Sequence, residues 1–123
     1  KNYEQIALEL CEKNKQPEND NQLIVRIQAY IDENYGDPSL CLSRISDLFH
    51  ISESYFSFLF KKTVGVNFST YLEQVRMTQA KHLLETTNIK ITDLYVAVGY
   101  NNLTSFRRAF KKKYGVAPNA LRE

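Results

Sequence analysis

Cysteine and histidine are scarce in this sequence, and their placement argues against several kinds of site. The 123 residues include two cysteines, Cys11 and Cys41, and two histidines, His50 and His82. The cysteines are far apart and form no C-x-x-C pair, which argues against both a disulfide framework and a zinc site. The histidines are isolated in the sequence, and we interpret both as structural residues rather than as metal ligands. We therefore expect no metal site.

Long apolar runs and catalytic motifs are also missing. No apolar run approaches the roughly 20 residues that a membrane-spanning helix needs, and the N-terminus does not resemble a signal peptide. The sequence has no glycine-rich phosphate loop and no nucleophile elbow, so we predict no catalytic residue, no cofactor and no enzymatic activity. Because the first residue is Lys1 rather than methionine, we expect the sequence to be part of a longer protein.

The charge is distributed unevenly along the chain. Residues 1–40 contain four basic and eight acidic residues, a net charge of −4, whereas residues 41–123 contain twelve basic and six acidic residues, a net charge of +6. The positive charge of the second part favours a polyanionic partner. A solvated basic surface is the alternative that charge alone leaves open.

A short motif occurs twice in the basic part of the chain. FKKTVGV at 60–66 is followed fifty residues later by FKKKYGV at 110–116, and a phenylalanine, Phe56 or Phe106, precedes each motif by four positions. A repeat at this period indicates two copies of one supersecondary unit. In each copy a helix with apolar spacing becomes basic at its end and stops at a glycine. Two short basic helices, each preceded by another short helix, are the expected parts of paired helix-turn-helix modules.

The apolar periodicity predicts an all-α chain of about seven or eight helices. The predicted helices are 3–14, one that begins at Asp20 or Asn21 as its N-cap and ends at Gly36, 42–49, 52–64, 67–87, 91–98, 102–114 and a short one from Pro118. Ser52, Asn67 and Asn102 are the predicted N-caps of three later helices. Gly65 and Gly115 are the predicted left-handed C-terminal residues.

These elements predict a division of the chain into four parts. They are a helix and linker belonging to an upstream domain (1–21), a first helix-turn-helix subdomain (22–66), a central linker helix (67–87) and a second helix-turn-helix subdomain (88–123). At about 1.5 Å per residue the central helix would extend roughly 31 Å. That length approaches the roughly 34 Å between successive major-groove segments on one side of B-DNA.

Many separate residues along the chain match one known family in the same order. They are Ser52, Tyr55-Phe56, FKKTVG, Tyr71-Leu72, Val75-Arg76, Ala80-Lys81, Leu83-Leu84, Val98-Gly99-Tyr100, Phe106, the second FKK with its glycine, Pro118 and Arg122. Through them the chain from about residue 23 to 122 resembles the DNA-binding domain of the AraC/XylS transcription regulators. The resemblance implies two homeodomain-like helix-turn-helix subdomains joined by a long central helix.

Four residues depart from the pattern of that family. Cys41 stands where a serine or threonine usually caps the first positioning helix, so we expect a weaker cap. Ser46 and Tyr95 replace the usual alanine at the crossing of each helix pair. Serine fits such a contact, whereas tyrosine should force an edge-on rotamer or a shifted crossing. Leu121 replaces the common tyrosine before the final arginine.

The resemblance implies base contacts from the first recognition helix, 52–64, at Ser54, Ser57 and Phe58. Helical phase places these residues opposite the predicted buried side chains. A serine hydroxyl can bond several bases and a phenylalanine can only pack, for instance on a thymine methyl group. We therefore expect weak discrimination between bases by this helix. A packing contact to a neighbouring domain is the alternative for Phe58.

In the second recognition helix, 102–114, the predicted open face carries the base-contacting candidates Leu103, Thr104, Arg107 and Arg108. An arginine can bind guanine through two hydrogen bonds, worth roughly 1–3 kcal/mol of discrimination. Arg108 is the preferred base contact, with Arg107 on a phosphate. Two solvated surface arginines are the alternative.

Six further residues are predicted phosphate contacts: Ser52 and Asn102 at helix N-termini, and Lys61, Lys62, Lys111 and Lys112 at helix C-termini. Exposed backbone N–H groups at a helix N-terminus attract phosphates. The lysines could instead only stabilise the helix dipole. Arg76, midway along the central helix, is predicted to be structural and paired with an acidic neighbour across the two subdomains.

The resemblance implies sequence-specific binding to double-stranded promoter DNA in a bacterial transcription regulator. It implies an upstream sensor or receiver domain, any dimerisation through that missing region, RNA polymerase as a further candidate partner, and a cytoplasmic location for this domain even if the whole protein is membrane-anchored. Two alternatives remain from the residues themselves: a helical module that binds an acidic protein partner, and a DNA-repair enzyme that carries such a domain.

Overall fold

Seven α-helices account for most of residues 19–122, the part of the chain that the computed structural model describes. They are α1 (Asp20–Asn34), α2 (Leu42–Phe49), α3 (Glu53–Val64), α4 (Phe68–Thr86), α5 (Ile91–Ala97), α6 (Leu103–Tyr114) and α7 (Pro118–Arg122). No strand occurs in this range, and the predicted all-α class is confirmed. The predicted helix 3–14 lies outside the described residues.

Side-chain caps begin four of the helices. Ser52, Asn67 and Asn102 each accept a hydrogen bond from the backbone N–H group three residues later, at 3.0, 2.8 and 2.8 Å, as predicted. The predicted cap of α1, Asp20 or Asn21, is wrong, because Asn19 accepts the equivalent bond at 2.8 Å. Asp20 is instead the first helical residue, where its negative carboxylate interacts favourably with the positive end of the helix dipole.

The described residues form two hydrophobic cores, one against each half of α4. The first core contains residues of α1, α2 and α3, and the second contains residues of α5 and α6. The central helix α4 contributes Phe68 and Leu72 to the first core and Met77, Ala80 and Leu84 to the second. Its 19 residues extend about 28 Å. The predicted pair of helix-turn-helix units joined by a long helix is therefore present.

The positions that depart from the family pattern behave in different ways. Cys41 makes no side-chain cap to α2, which confirms the predicted weaker cap. Ser46 is buried, and its Oγ donates to the carbonyl of Leu42 at 2.9 Å, so the serine fits the close contact as expected. Tyr95 and Leu121 are partly buried against the second core.

Arg76 has a structural role, but its predicted partner is wrong. Its Nε and Nη2 donate to the main-chain carbonyls of Tyr35 and Asp37, at 2.9 and 3.0 Å. The carboxylate of Asp37 lies 2.9 Å from Nη1 of Arg44 instead. Burial lowers the pKa of Arg76, but an arginine ordinarily titrates so far above neutral pH that it stays protonated. The guanidinium therefore uses carbonyl dipoles where an acidic side chain was expected.

Candidate nucleic-acid interface

The first recognition helix, α3, is held by three large apolar side chains on one side. Phe56, Leu59 and Phe60 are all buried, as predicted, and the Phe56 and Phe60 rings lie 5.6 Å apart in an edge-on contact. The turn before α3 depends on His50, which adopts the left-handed conformation at φ 59° and ends α2. Packing and turn together fix which side of α3 faces outward.

The outward side of α3 carries the residues that the sequence pattern selected. Ser54 and Ser57 are exposed, and Phe58 is 62% exposed. The exposed Lys61 and Lys62 follow in the last turn, and Lys62 Nζ lies 5.7 Å from the centroid of the Phe58 ring. The exposed Phe58 ring is therefore available for an intermolecular contact.

The second recognition helix, α6, repeats this arrangement with stronger charge. Phe106 and Phe110 are buried, with ring centroids 5.9 Å apart, while Thr104, Arg107 and Arg108 are exposed. Neither arginine has an ion pair among residues 19–122, so both guanidinium groups are available to a ligand.

Leu103 departs from the predicted open face of α6. It is only partly exposed, because it packs against the second core. Its counterpart at the start of α3 is Glu53, which is exposed. The leucine therefore offers less of its surface to a partner than helical phase alone indicated.

The C-terminal ends of both recognition helices are basic. Lys61 and Lys62 end α3, and three lysines, 111–113, end α6. Lys112 makes only a distant ion pair, at 4.0 Å, with the carboxylate of Glu73 in α4. Such lysines stabilise the negative end of the helix dipole, and their exposed ammonium groups can also bind phosphates.

The predicted phosphate contacts Ser52 and Asn102 use their side chains as helix caps. Each side-chain oxygen already accepts a bond from its own helix. A phosphate at either position would therefore bind the remaining first-turn backbone N–H groups. Glu53 places a negative charge in the first turn of α3, whereas the first turn of α6 contains no acidic residue. The N-terminus of α6 is thus the better anion site.

Tyr55 is a contact of the first recognition helix that sequence reasoning missed. Its hydroxyl donates to Oδ1 of Asp20 at 2.7 Å, which connects α3 with the start of α1. This hydrogen bond to a carboxylate raises the pKa of Tyr55. The two residues are thirty-five positions apart, so no local pattern indicates their pairing.

No metal or membrane feature appears in the part of the chain that the structure describes. Residues 19–122 contain no group of three or more histidine, cysteine, aspartate or glutamate side chains placed to hold a metal ion. None of the helices within this range has both the length and the hydropathy needed to cross a bilayer. Cys41 is a free, exposed thiol.

Comparison with known proteins decides the family. A family model described as a helix-turn-helix domain matches residues 45–123, more than half of the chain. The chain belongs to the AraC family of transcription regulators. It is similar to a bifunctional transcriptional activator and DNA repair enzyme, AdaA of Bacillus subtilis, with 34% identity over 113 residues, which cover 92% of this chain and 53% of that protein.

Solved structures of AraC-type domains share the fold. The C-terminal domain of the two-component response regulator yesN from Fusobacterium nucleatum is 39% identical, with a TM-score of 0.78 over 86% of this chain and 100% of that one. The DNA-binding domain of AdpA, solved in complex with a target DNA, has a TM-score of 0.77 over 80% of this chain and 88% of that one. At 21% identity, this second likeness shows the fold alone.

This chain corresponds to the helix-turn-helix part of AraC-family proteins, and its relatives give no support to a module for an acidic protein partner. Most of these relatives are transcription regulators, while AdaA combines regulation with DNA repair in one protein. The matched region covers from about a tenth to about half of the length of the curated relatives, 11% at the lowest and 53% at the highest.

Proposed function

We propose that the chain binds promoter DNA by inserting α3 and α6 into successive major-groove segments on one side of the duplex. The observation that carries this proposal is the pairing of two exposed, basic recognition helices on the two halves of one continuous helix, α4. The length of α4, about 28 Å, is close to the roughly 34 Å between such groove segments.

In this proposal α3 contacts bases through Ser54, Ser57 and Phe58. Their exposure on one side of the helix supports the assignment. Two hydroxyl groups and one apolar ring discriminate weakly between bases. We therefore expect α3 to contribute more to affinity than to sequence preference.

The sequence preference comes mainly from α6. Arg107 and Arg108 are adjacent on a helix, so their side chains leave it about 100° apart. When α6 lies in the groove, the two side chains therefore cannot both point at the base edges. We assign Arg108 to a guanine edge and Arg107 to a phosphate, with Thr104 as a further hydrogen-bonding contact. Leu103 contributes only the apolar surface that the second core leaves exposed.

Phosphate contacts orient the domain on the duplex. We assign them to four exposed lysines and to the backbone N–H groups that follow two N-caps: Lys61, Lys62, Lys111, Lys112, Ser52 and Asn102. The negative charge of Glu53 weakens the phosphate contact at the start of α3. The contact at the start of α6 is therefore expected to be the stronger of the two.

The whole protein is proposed to regulate transcription in the cytoplasm in response to an upstream sensor or receiver domain. Two observations support this: the similar domain of Fusobacterium nucleatum is the C-terminal part of a two-component response regulator, and the chain spans only part of the length of its relatives. RNA polymerase is the proposed partner in regulation. Any dimerisation and any membrane anchor would belong to the upstream region.

Selection of binding sites from random duplexes, followed by fluorescence anisotropy at two salt concentrations, tests the proposal. If the domain contacts six to ten phosphates, affinity should fall roughly 10³- to 10⁵-fold between 50 and 200 mM salt. The selected duplexes should share two short conserved blocks about one helical turn apart. Failure to enrich any sequence, with weak binding to every duplex, would overturn the proposal and favour an acidic protein partner.

A further inference from the structure

Arg76 lies where α4 passes from the first hydrophobic core to the second. Leu72 of α4 belongs to the first core and Met77 to the second, so the arginine leaves the helix where both subdomains are within reach. The carbonyls of Tyr35 and Asp37, which accept its two hydrogen bonds, lie in the connection between α1 and α2. The arginine therefore binds the backbone of the first subdomain.

The same guanidinium also contacts the second subdomain. Its Cζ lies 5.7 Å from the ring centroid of Tyr100, in the turn between α5 and α6. The Tyr100 ring in turn packs edge-on against Phe106 of α6, with centroids 5.7 Å apart. Arg76 thus connects the first subdomain, through one aromatic ring, to the recognition helix of the second.

Two glycines allow the backbones of the subdomains to approach each other at this place. A Cβ atom on Gly36 would lie 2.8 Å from a carbonyl oxygen of α5, and one on Gly99 would lie 2.4 Å from the carbonyl oxygen of Tyr35. His50 occupies the corresponding turn of the first subdomain with φ 59°, so a left-handed residue there need not be glycine. Close approach to the other subdomain is the additional constraint on Gly99.

We infer that Arg76 is a positioning residue that fixes α6 relative to α3 and so sets the spacing of the two DNA half-sites that can be bound together. The inference rests on the proposed function. Joining two binding sites raises affinity by roughly 10²- to 10⁴-fold only when the geometry allows both to bind at once. The planar guanidinium holds an orientation through two separate donors, whereas a lysine ammonium offers a point charge on a flexible stem.

The test compares three duplexes: the selected site with both half-sites, the same site with one half-site randomised, and the site with two base pairs inserted between its halves. Arg76→Met keeps the length of the side chain and removes its donors, and Gln74→Met is the control on an exposed position of the same helix. We expect Arg76→Met to keep its affinity for the single half-site. Its affinity for the complete site should fall about tenfold or more, because part of the affinity gained by binding both half-sites together is lost. The loss of affinity caused by the two inserted base pairs should be smaller than in the unmodified protein.

The outcomes separate a positioning role from a general loss of stability. A merely destabilised protein would lose affinity for all three duplexes equally and keep its penalty for the insertion. Arg76→Met with the affinity and spacing preference of the Gln74→Met control would overturn the inference. If the unmodified protein bound single and complete sites equally well, the proposed function itself would fail.

A distance measurement keeps the inference testable if Arg76→Met does not fold. Spin labels would be attached at the exposed, corresponding positions Thr63 in α3 and Lys113 in α6, with Cys11 and Cys41 replaced by serine. Without DNA, the distance distribution should be narrow in the protein with the native arginine and broader in Arg76→Lys. Equal widths in the two proteins would overturn the inference.

Discussion

Replacing Arg108 by alanine removes the side chain to which we assign most of the base discrimination. Arg108 is exposed and has no ion pair within residues 19–122, so the free energy of unfolding should change by no more than about 0.5 kcal/mol. Loss of a two-bond contact to guanine should cost roughly 1–3 kcal/mol of binding. That energy corresponds to a loss of affinity of about 5- to 150-fold.

The assay is a competition experiment with every single-base variant of the selected site, carried out on Arg108→Ala and on Arg107→Ala. The first variant should lose its preference at one position of the site only. The second should weaken binding to all sequences alike and lower the salt slope by about one. Unchanged affinity and unchanged sequence preference in Arg108→Ala would refute the assignment. A uniform loss of affinity for all sequences in Arg108→Ala would assign Arg108 to a phosphate and Arg107 to the guanine instead.

Three further substitutions test the packing that supports the interface. Gly99 and Gly65 have similar positive φ angles, 94° and 97°, but only at Gly99 would an added Cβ meet a backbone atom. Gly99→Ala should therefore destabilise the protein more than Gly65→Ala in urea unfolding. Equal losses of stability would refute the close approach at Gly99. Phe106→Ala should cost about 3–5 kcal/mol of unfolding free energy because the ring is fully buried, and a loss below about 1 kcal/mol would contradict that burial. Cys41→Ser should supply the missing cap of α2 and raise stability by about 0.5–1 kcal/mol; a lower melting temperature would show that serine cannot cap there.

Sequence reasoning succeeded where the signal is local. Ser52 and Asn102 bond to backbone only three residues away, and the buried faces of both recognition helices follow helical spacing. The cap of α1 was misplaced because three consecutive residues, 19–21, all have side chains that can cap a helix. Only the backbone conformation decides among them, and it selects Asn19.

The contacts that sequence reasoning missed join distant parts of the chain. Arg76 binds main-chain carbonyls 41 and 39 residues away, and every residue type has such a carbonyl, so no side-chain pattern identifies these partners. The bond from Tyr55 to Asp20 is equally long-range. Leu103 was placed on the open face by helical phase, but its packing depends on the neighbouring second core. How a residue packs beyond its own helix is a property of the assembled fold.

Protection of guanine N7 from methylation along the selected duplex tests the two-helix binding mode most directly. N7 lies in the major groove, so each inserted helix should protect guanines in its own segment. We predict two protected segments about 10 base pairs apart, on the same side of the duplex, with the protection of one guanine in the α6 segment lost in Arg108→Ala. A single protected segment, or two segments on opposite sides of the duplex, would contradict simultaneous insertion of α3 and α6.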